Sequence, residues 1–174
     1  MKKNVIITTV IVVLMTIVAV VAVVLLINNR SDGNNSGDNE RNGKITSFSF
    51  SRSYGLGGAV GYTITLKDGK KSSLKYEYYG YDSNEDNNFE KDIDAKYLDE
   101  LADIIKEKEV VKWDGFDESK DGVLDGSGFS LKVKYDDGKE INAYGYMKYP
   151  DNYQEVMESF DKVLENAKNS NLSN

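Results

Sequence analysis

The sequence has neither histidine nor cysteine among its 174 residues. Without histidine, Ser-His-Asp and Cys-His nucleophile systems are excluded. With both residue types missing, His- and Cys-ligated zinc sites go as well. No disulfide can form, although an extracellular location would permit one, and no thiol is present to accept a lipid. Positive charge is also in short supply. Lys2, Lys3 and Arg30 are the only basic residues before position 31, so the remainder carries 19 basic against 29 acidic side chains. That balance rules out a basic groove for nucleic acid. Carboxylate chemistry and Ser-Lys chemistry remain. With so many acids, neighbouring pairs are unavoidable and select nothing, and neither "SRS" nor "SSLK" stands where a serine would be activated. No catalytic constellation, and no cofactor site, emerges.

What is present divides sharply along the chain. Residues 5–27, "VIITTVIVVLMTIVAVVAVVLLI", hold three threonines as their only polar side chains and no charge. As a helix this run is about 34 Å long, enough to cross a ~30 Å hydrocarbon core. It exceeds the usual apolar length of a cleaved signal, and no small-x-small site follows it, so an uncleaved transmembrane helix is expected. Lys2 and Lys3 precede it, which sets residues 1–4 in the cytoplasm and the rest outside the membrane. Residues 28–43 contain no aliphatic or aromatic side chain and read as a disordered tether. One domain is expected over 44–167, followed by a frayed tail at 168–174.

Within that domain, "SFSFSRSY" alternates Phe48, Phe50 and Tyr54 with serines, the period of a strand with one buried face. Tyr62, Ile64 and Leu66 repeat the pattern, "KDGK" turns, and Leu74, Tyr76 and Tyr78 return inward, giving a three-stranded meander. An acidic loop leads to a helix with the stripe Ile93, Tyr97, Leu98, Leu101, Ile104 and Ile105, ending near Glu109. Asp94 is its expected N-cap, and Ile93 against Leu98 its hydrophobic staple. "VVKW" reads as a short strand. Phe129, Leu131, Val133 and Tyr135 then alternate inward, "DDGK" turns, and Ile141 and Ala143 return. Pro150 stops the strand, and a second helix carries Tyr153, Val156, Met157, Phe160, Val163 and Leu164, with Asp151 and Gln154 spaced as a capping box. Aligning Asp68-Gly69 with Asp137-Gly138 superposes the two halves at an offset of 69 residues. The expectation is an α+β fold: one antiparallel sheet from two pseudo-repeated strand-meander-plus-helix units, both helices on one face.

Two loops resemble ligand sites. In "DESKDGVLDGSG", Asp117, Ser119, Asp121 and Asp125 occupy calcium-loop positions one, three, five and nine, with Gly122 sixth. Position twelve, where a bidentate glutamate belongs, is Gly128, and a strand follows instead of a helix. A solvated loop is expected and no metal. "GLGGAVG" is likewise followed by a strand, so it lacks the helix N-terminus that a phosphate loop needs and reads as a turn. The remaining surface signal is tyrosine, 12 in all. Tyr79, Tyr144 and Tyr146 fall opposite Leu74 and Ile141, on the face that the helices leave open, and Tyr149 and Trp113 are expected to join them there. Flat aromatics of this kind stack on sugar rings or anchor a protein partner.

"KWDGF" (112–116), "LDGSGFSL" (124–131) and "GYMKYPDNY" (145–153) together resemble a domain that recurs in membrane-anchored and lipoprotein-like proteins of Gram-positive bacteria. The resemblance implies a surface location and strands-then-helix order, and brings no catalytic residues with it. The chain departs from lipoprotein members in lacking the acceptor cysteine, which leaves the helix as anchor. The functional expectation is a single-pass, extracytoplasmic binding domain for a protein partner or an envelope glycan. The alternative is a small carbohydrate-active enzyme working through paired carboxylates. Trp113 with Phe116 is expected to plug the core between the first helix and the second sheet half.

Overall fold

A computed structural model describes residues 43–80 and 87–170. The expected transmembrane helix, the tether up to residue 42, acidic residues 81–86 and residues 171–174 lie outside the described residues. Among the described ones no helix is long and apolar enough to cross a membrane.

The described chain forms an α+β domain. Its strands are β1 (Ile45–Tyr54), β2 (Ala59–Leu66), β3 (Lys71–Tyr79), β4 (Phe89–Asp94), β5 (Asp117–Ser119), β6 (Ser127–Tyr135) and β7 (Glu140–Tyr146). Two helices, α1 (Lys96–Glu107) and α2 (Tyr153–Asn169), complete it. The strands make one seven-stranded sheet in the order β4-β3-β2-β1-β6-β7-β5. All pairings are antiparallel except β5 beside β7.

Period two decides which face is buried. Phe48 and Phe50 align with Ile64 and Tyr62 on one side and with Val133 and Leu131 on the other, and all six are buried. Ile45 has the wrong parity for this row, but a bulge at Thr46 returns it to the inner face opposite Tyr135. Phe160 of α2 meets Phe48 edge-on at 5.1 Å and Phe50 at 5.9 Å. Helix α1 contacts both β1 and α2, and its stripe Tyr97, Leu98, Leu101 and Ile105 joins the same core. Tyr54 shares the inner parity, yet it projects beyond this cover and is 49% exposed.

Several local expectations are corrected. Ile93 belongs to β4, a strand the sequence reading missed, so it cannot staple α1. Ala95 takes the N-cap position in place of Asp94, whose Oδ1 nonetheless accepts the Lys96 amide at 2.8 Å. "VVKW" is a 3-10 turn, entered through a left-handed Glu109 with φ 53°. Asp151 and Gln154 form no capping box. Asn152 precedes the helix, and its amide bridges the Trp113 Nε1, which donates at 2.8 Å, and the Lys108 carbonyl, to which it donates at 2.6 Å. Helix α2 runs to Asn169, two residues past the expected domain end, and its terminal carbonyl at Lys168 accepts from Lys91 Nζ at 2.6 Å. A cation at a helix C-terminus is favoured by the exposed carbonyl dipoles.

The two halves do share one sheet, but they are not superposable. Strands β2 and β6 both run antiparallel to β1 on opposite sides of it, so they point the same way, with β3 outside one and β7 outside the other. Seen from the helices, one hairpin opens to the left and the other to the right. Any rotation carrying one onto the other turns the sheet over. That would send Ile64 and Val133 to opposite faces, whereas both are buried. The layouts are mirror-related. Their turns differ too: Asp68 Oδ1 accepts the amides of Lys70 and Lys71 at 2.8 Å each, while the second turn places Gly138 at φ 81°.

Candidate functional site

The register places Tyr79 and Tyr144 on the face away from the helices. Across the sheet, Tyr79 lies opposite Ala59, and Ala59 opposite Ser53. In the next row Glu77, Gly61, Ser51, Ser130 and Tyr144 follow one another from β3 to β7. Three central strands therefore present only small side chains between two exposed rings, 57% and 44% accessible. Four strand spacings of about 4.8 Å set those rings' strands roughly 19 Å apart. The Tyr79 hydroxyl donates to Glu77 Oε1 at 3.0 Å. That same carboxylate takes Lys75 Nζ at 2.7 Å, and the hydrogen bond from Lys75 holds Glu77 below the usual carboxylate range. Further along this face Ser49 and Thr63 share a 3.1 Å hydrogen bond. Lys132 lies 3.1 Å from Glu140, and this contact lowers the Glu140 pKa.

Tyr146 has the expected parity but a structural task. Its hydroxyl accepts the Gly126 amide at 2.7 Å and donates to the Val123 carbonyl at 3.2 Å, pinning the loop before β6. Tyr149 and Trp113 are not on this face. After Tyr146 the chain enters a left-handed residue, Met147 with φ 54°, and doubles back over Gly145. A Cβ on Gly145 would stand 2.2 Å from the Lys148 carbonyl oxygen, so only glycine permits the approach. This reversal carries Tyr149 to the helix side, where its ring stacks on Phe129 at 6.0 Å and meets Tyr153 at a tilt of 37° and 4.6 Å. Trp113 is buried against Phe129 and Tyr153, and Phe116 stacks on Phe129. That arrangement makes it the core plug and removes it from any surface patch.

The calcium-like loop is opened out by pairing. Asp117 and Ser119 lie in β5, opposite Tyr144 and Tyr146, so their side chains follow an extended ladder and do not curl about a centre. Asp125 approaches the β1–β2 turn, within 2.4 Å of where a Cβ on Gly55 would sit. Among the described residues no group of three or more acidic side chains could hold a metal ion. "GLGGAVG" is the tight turn between β1 and β2, with Gly55 at φ 59° and Gly58 at φ 101°.

Sequence reasoning missed a cleft of about 540 Å³ on the helix side, between the end of β1 and the start of α2. Arg52, Tyr54, Tyr149, Tyr153, Gln154 and Asp161 line it. Arg52 donates to both carboxylate oxygens of Asp161, at 3.0 and 2.8 Å, the paired geometry that a guanidinium makes best. Burial acts to lower the Arg52 pKa, but Asp161 outweighs it and the net shift is upward. Burial likewise raises the Tyr153 phenol well above its ordinary range. The legible signal was Arg52 itself, a charge at an inner position of an aromatic strand. Compared with known proteins, the chain matches no family model, no curated relative and no solved structure.

Proposed function

We propose that the chain is a non-catalytic binding domain, anchored by residues 5–27 and held outside the membrane, whose open sheet face engages a protein partner or an envelope glycan. One observation carries this reading. Tyr79 and Tyr144 stand exposed at either side of a floor of serine, glycine and alanine that the helices do not cover. A half-exposed tyrosine supplies large contact area at little entropic cost and can donate or accept at its rim. The floor adds no bulk to obstruct a flat ligand. The likeness of "KWDGF", "LDGSGFSL" and "GYMKYPDNY" to Gram-positive surface domains supports the extracytoplasmic placement. For the alternative, a carboxylate-driven glycosidase, two free carboxyl groups have to face one substrate, and both Asp161 oxygens are occupied by Arg52.

Purified cell wall and membrane fractions incubated with the full-length chain test the reading. Saturable retention that falls at least tenfold in Tyr79→Ala/Tyr144→Ala, with unchanged circular dichroism, supports it. Retention indifferent to both tyrosines removes the open face from the account. Quantitative recovery of the full-length chain from the soluble fraction removes the anchor.

A further inference from the structure

We infer that the cleft between β1 and the start of α2 is a second binding site, independent of the open face, and that it takes a neutral pyranose sugar. Its volume, about 540 Å³, lies within the roughly 300–1,000 Å³ of small-ligand pockets. Two rings border it with free surface, Tyr54 at 49% and Tyr149 at 37% exposed. Tyr149 is fixed before any ligand arrives. Its hydroxyl donates to the Ser127 carbonyl at 3.0 Å and pairs with Ser127 Oγ at 2.8 Å, while Phe129 stacks on its ring and Tyr153 packs against it at a tilt. Binding then orders little of the protein, and less affinity is lost to immobilising side chains.

Charge narrows the ligand class. Among the described residues the one cation lining the cleft is Arg52, which is already matched by Asp161 and lies 5.8 Å over the Tyr54 ring. Asp151 also lines the cleft and is exposed. An anionic ligand would therefore meet no spare positive charge, and a phosphate or carboxylate is disfavoured. What the lining does offer is aromatic area beside neutral and acceptor groups: Gln154 and Asp151. A pyranose has that same split character. Its ring C–H bonds form apolar patches suited to an aromatic face, and its hydroxyls need hydrogen-bond partners around the rim.

The test uses the full-length chain in a detergent without a sugar head group, since a glycoside detergent would compete. Isothermal calorimetry with neutral oligosaccharides, namely tetramers of N-acetylglucosamine, glucose and mannose, is expected to give saturable binding by at least one. Tyr54→Ala and Gln154→Ala are expected to weaken it at least tenfold. Both side chains are exposed, so these variants keep the fold, and unchanged thermal melting verifies it. Asp103→Ala, at an exposed position of α1 outside both surfaces, is expected to leave this affinity unchanged. No saturation by any neutral oligosaccharide overturns the ligand class. Binding that survives Tyr54→Ala and Gln154→Ala but falls in Tyr144→Ala overturns the site and assigns the sugar to the open face.

Discussion

Replacing Tyr62 by phenylalanine should destabilise the domain at neutral pH and cease to do so in alkali. Tyr62 is 5% exposed, and its hydroxyl donates to Glu165 Oε1 at 2.6 Å. A hydrogen bond to a charged group contributes about 1.5–3 kcal/mol. The Glu165 side chain is 49% accessible and can turn to water in the variant, so the lower end applies, about 1.5 kcal/mol. Burial, then the Glu165 hydrogen bond, raise the folded phenol far above its ordinary pKa. A raised folded pKa gives stability that is intact below the unfolded value and lost as pH climbs. Once the unfolded phenol ionises, near pH ~10, the native state holds a proton that the unfolded state has released. One pH unit above that value, the loss reaches about 1.4 kcal/mol. The wild type and Tyr62→Phe should therefore have equal stability near pH ~11. Tyr153 and the lysines titrate in both proteins and cancel in the difference. Urea unfolding of both at pH 8, 9, 10 and 11 measures it. A destabilisation that stays constant across that range refutes the reasoning, because the phenol would then titrate alike in the folded and unfolded states.

Four further outcomes are expected. Phe160→Ala removes a fully buried ring with two edge-on partners and should cost about 3–5 kcal/mol in chemical denaturation. Ser72 is fully buried, and its hydroxyl has no hydrogen-bond partner among the described residues, so Ser72→Ala should raise the melting temperature or leave it unchanged, unlike other core truncations. Asn152→Ala strands the Trp113 indole N–H and the Lys108 carbonyl; a loss of about 2–3 kcal/mol is expected, with a red shift in the emission of the sole tryptophan. Deleting Thr46 takes out the bulged residue and keeps Ile45 inward, so the chain should still fold. Deleting Ser49 inverts one end of β1 and should abolish the cooperative melting transition.

The buried rows of β1, β2, β6 and β7 were legible because each has a sheet neighbour on both sides and a clean alternation of apolar and polar residues. Strand β4 was not. Its inner row is Phe89, Lys91 and Ile93, and the central lysine masks the period. Lys91 is tolerated there because its amine reaches the Lys168 carbonyl, 77 residues away in sequence, a partner no local pattern reveals. The same holds for Asn152, which Trp113 draws out of a capping role across 39 residues. In "VVKW", β-branched residues suggested a strand, and only the left-handed Glu109 preceding them turns the chain into a 3-10 coil. Tyr149 was expected on the open face beside Tyr144 and Tyr146. That expectation fails at Met147, where a positive φ reverses the chain and carries Tyr149 to the helix side.

That failure bears on how the surfaces relate. The end of β1 serves both: Ser51 and Ser53 form the floor of the open face, while Arg52 and Tyr54 line the cleft behind it. Four consecutive residues thus supply two surfaces through the alternation that also builds the core. Their register is what keeps the two sets apart, since a slip of one residue would turn Arg52 onto the open face and bury a serine beside Phe129. Arg52 itself opposes such a slip, because only the native register lets its guanidinium meet both oxygens of Asp161. The half-buried ion pair is therefore better understood as fixing register than as adding stability, the use for which buried polar pairs are best attested.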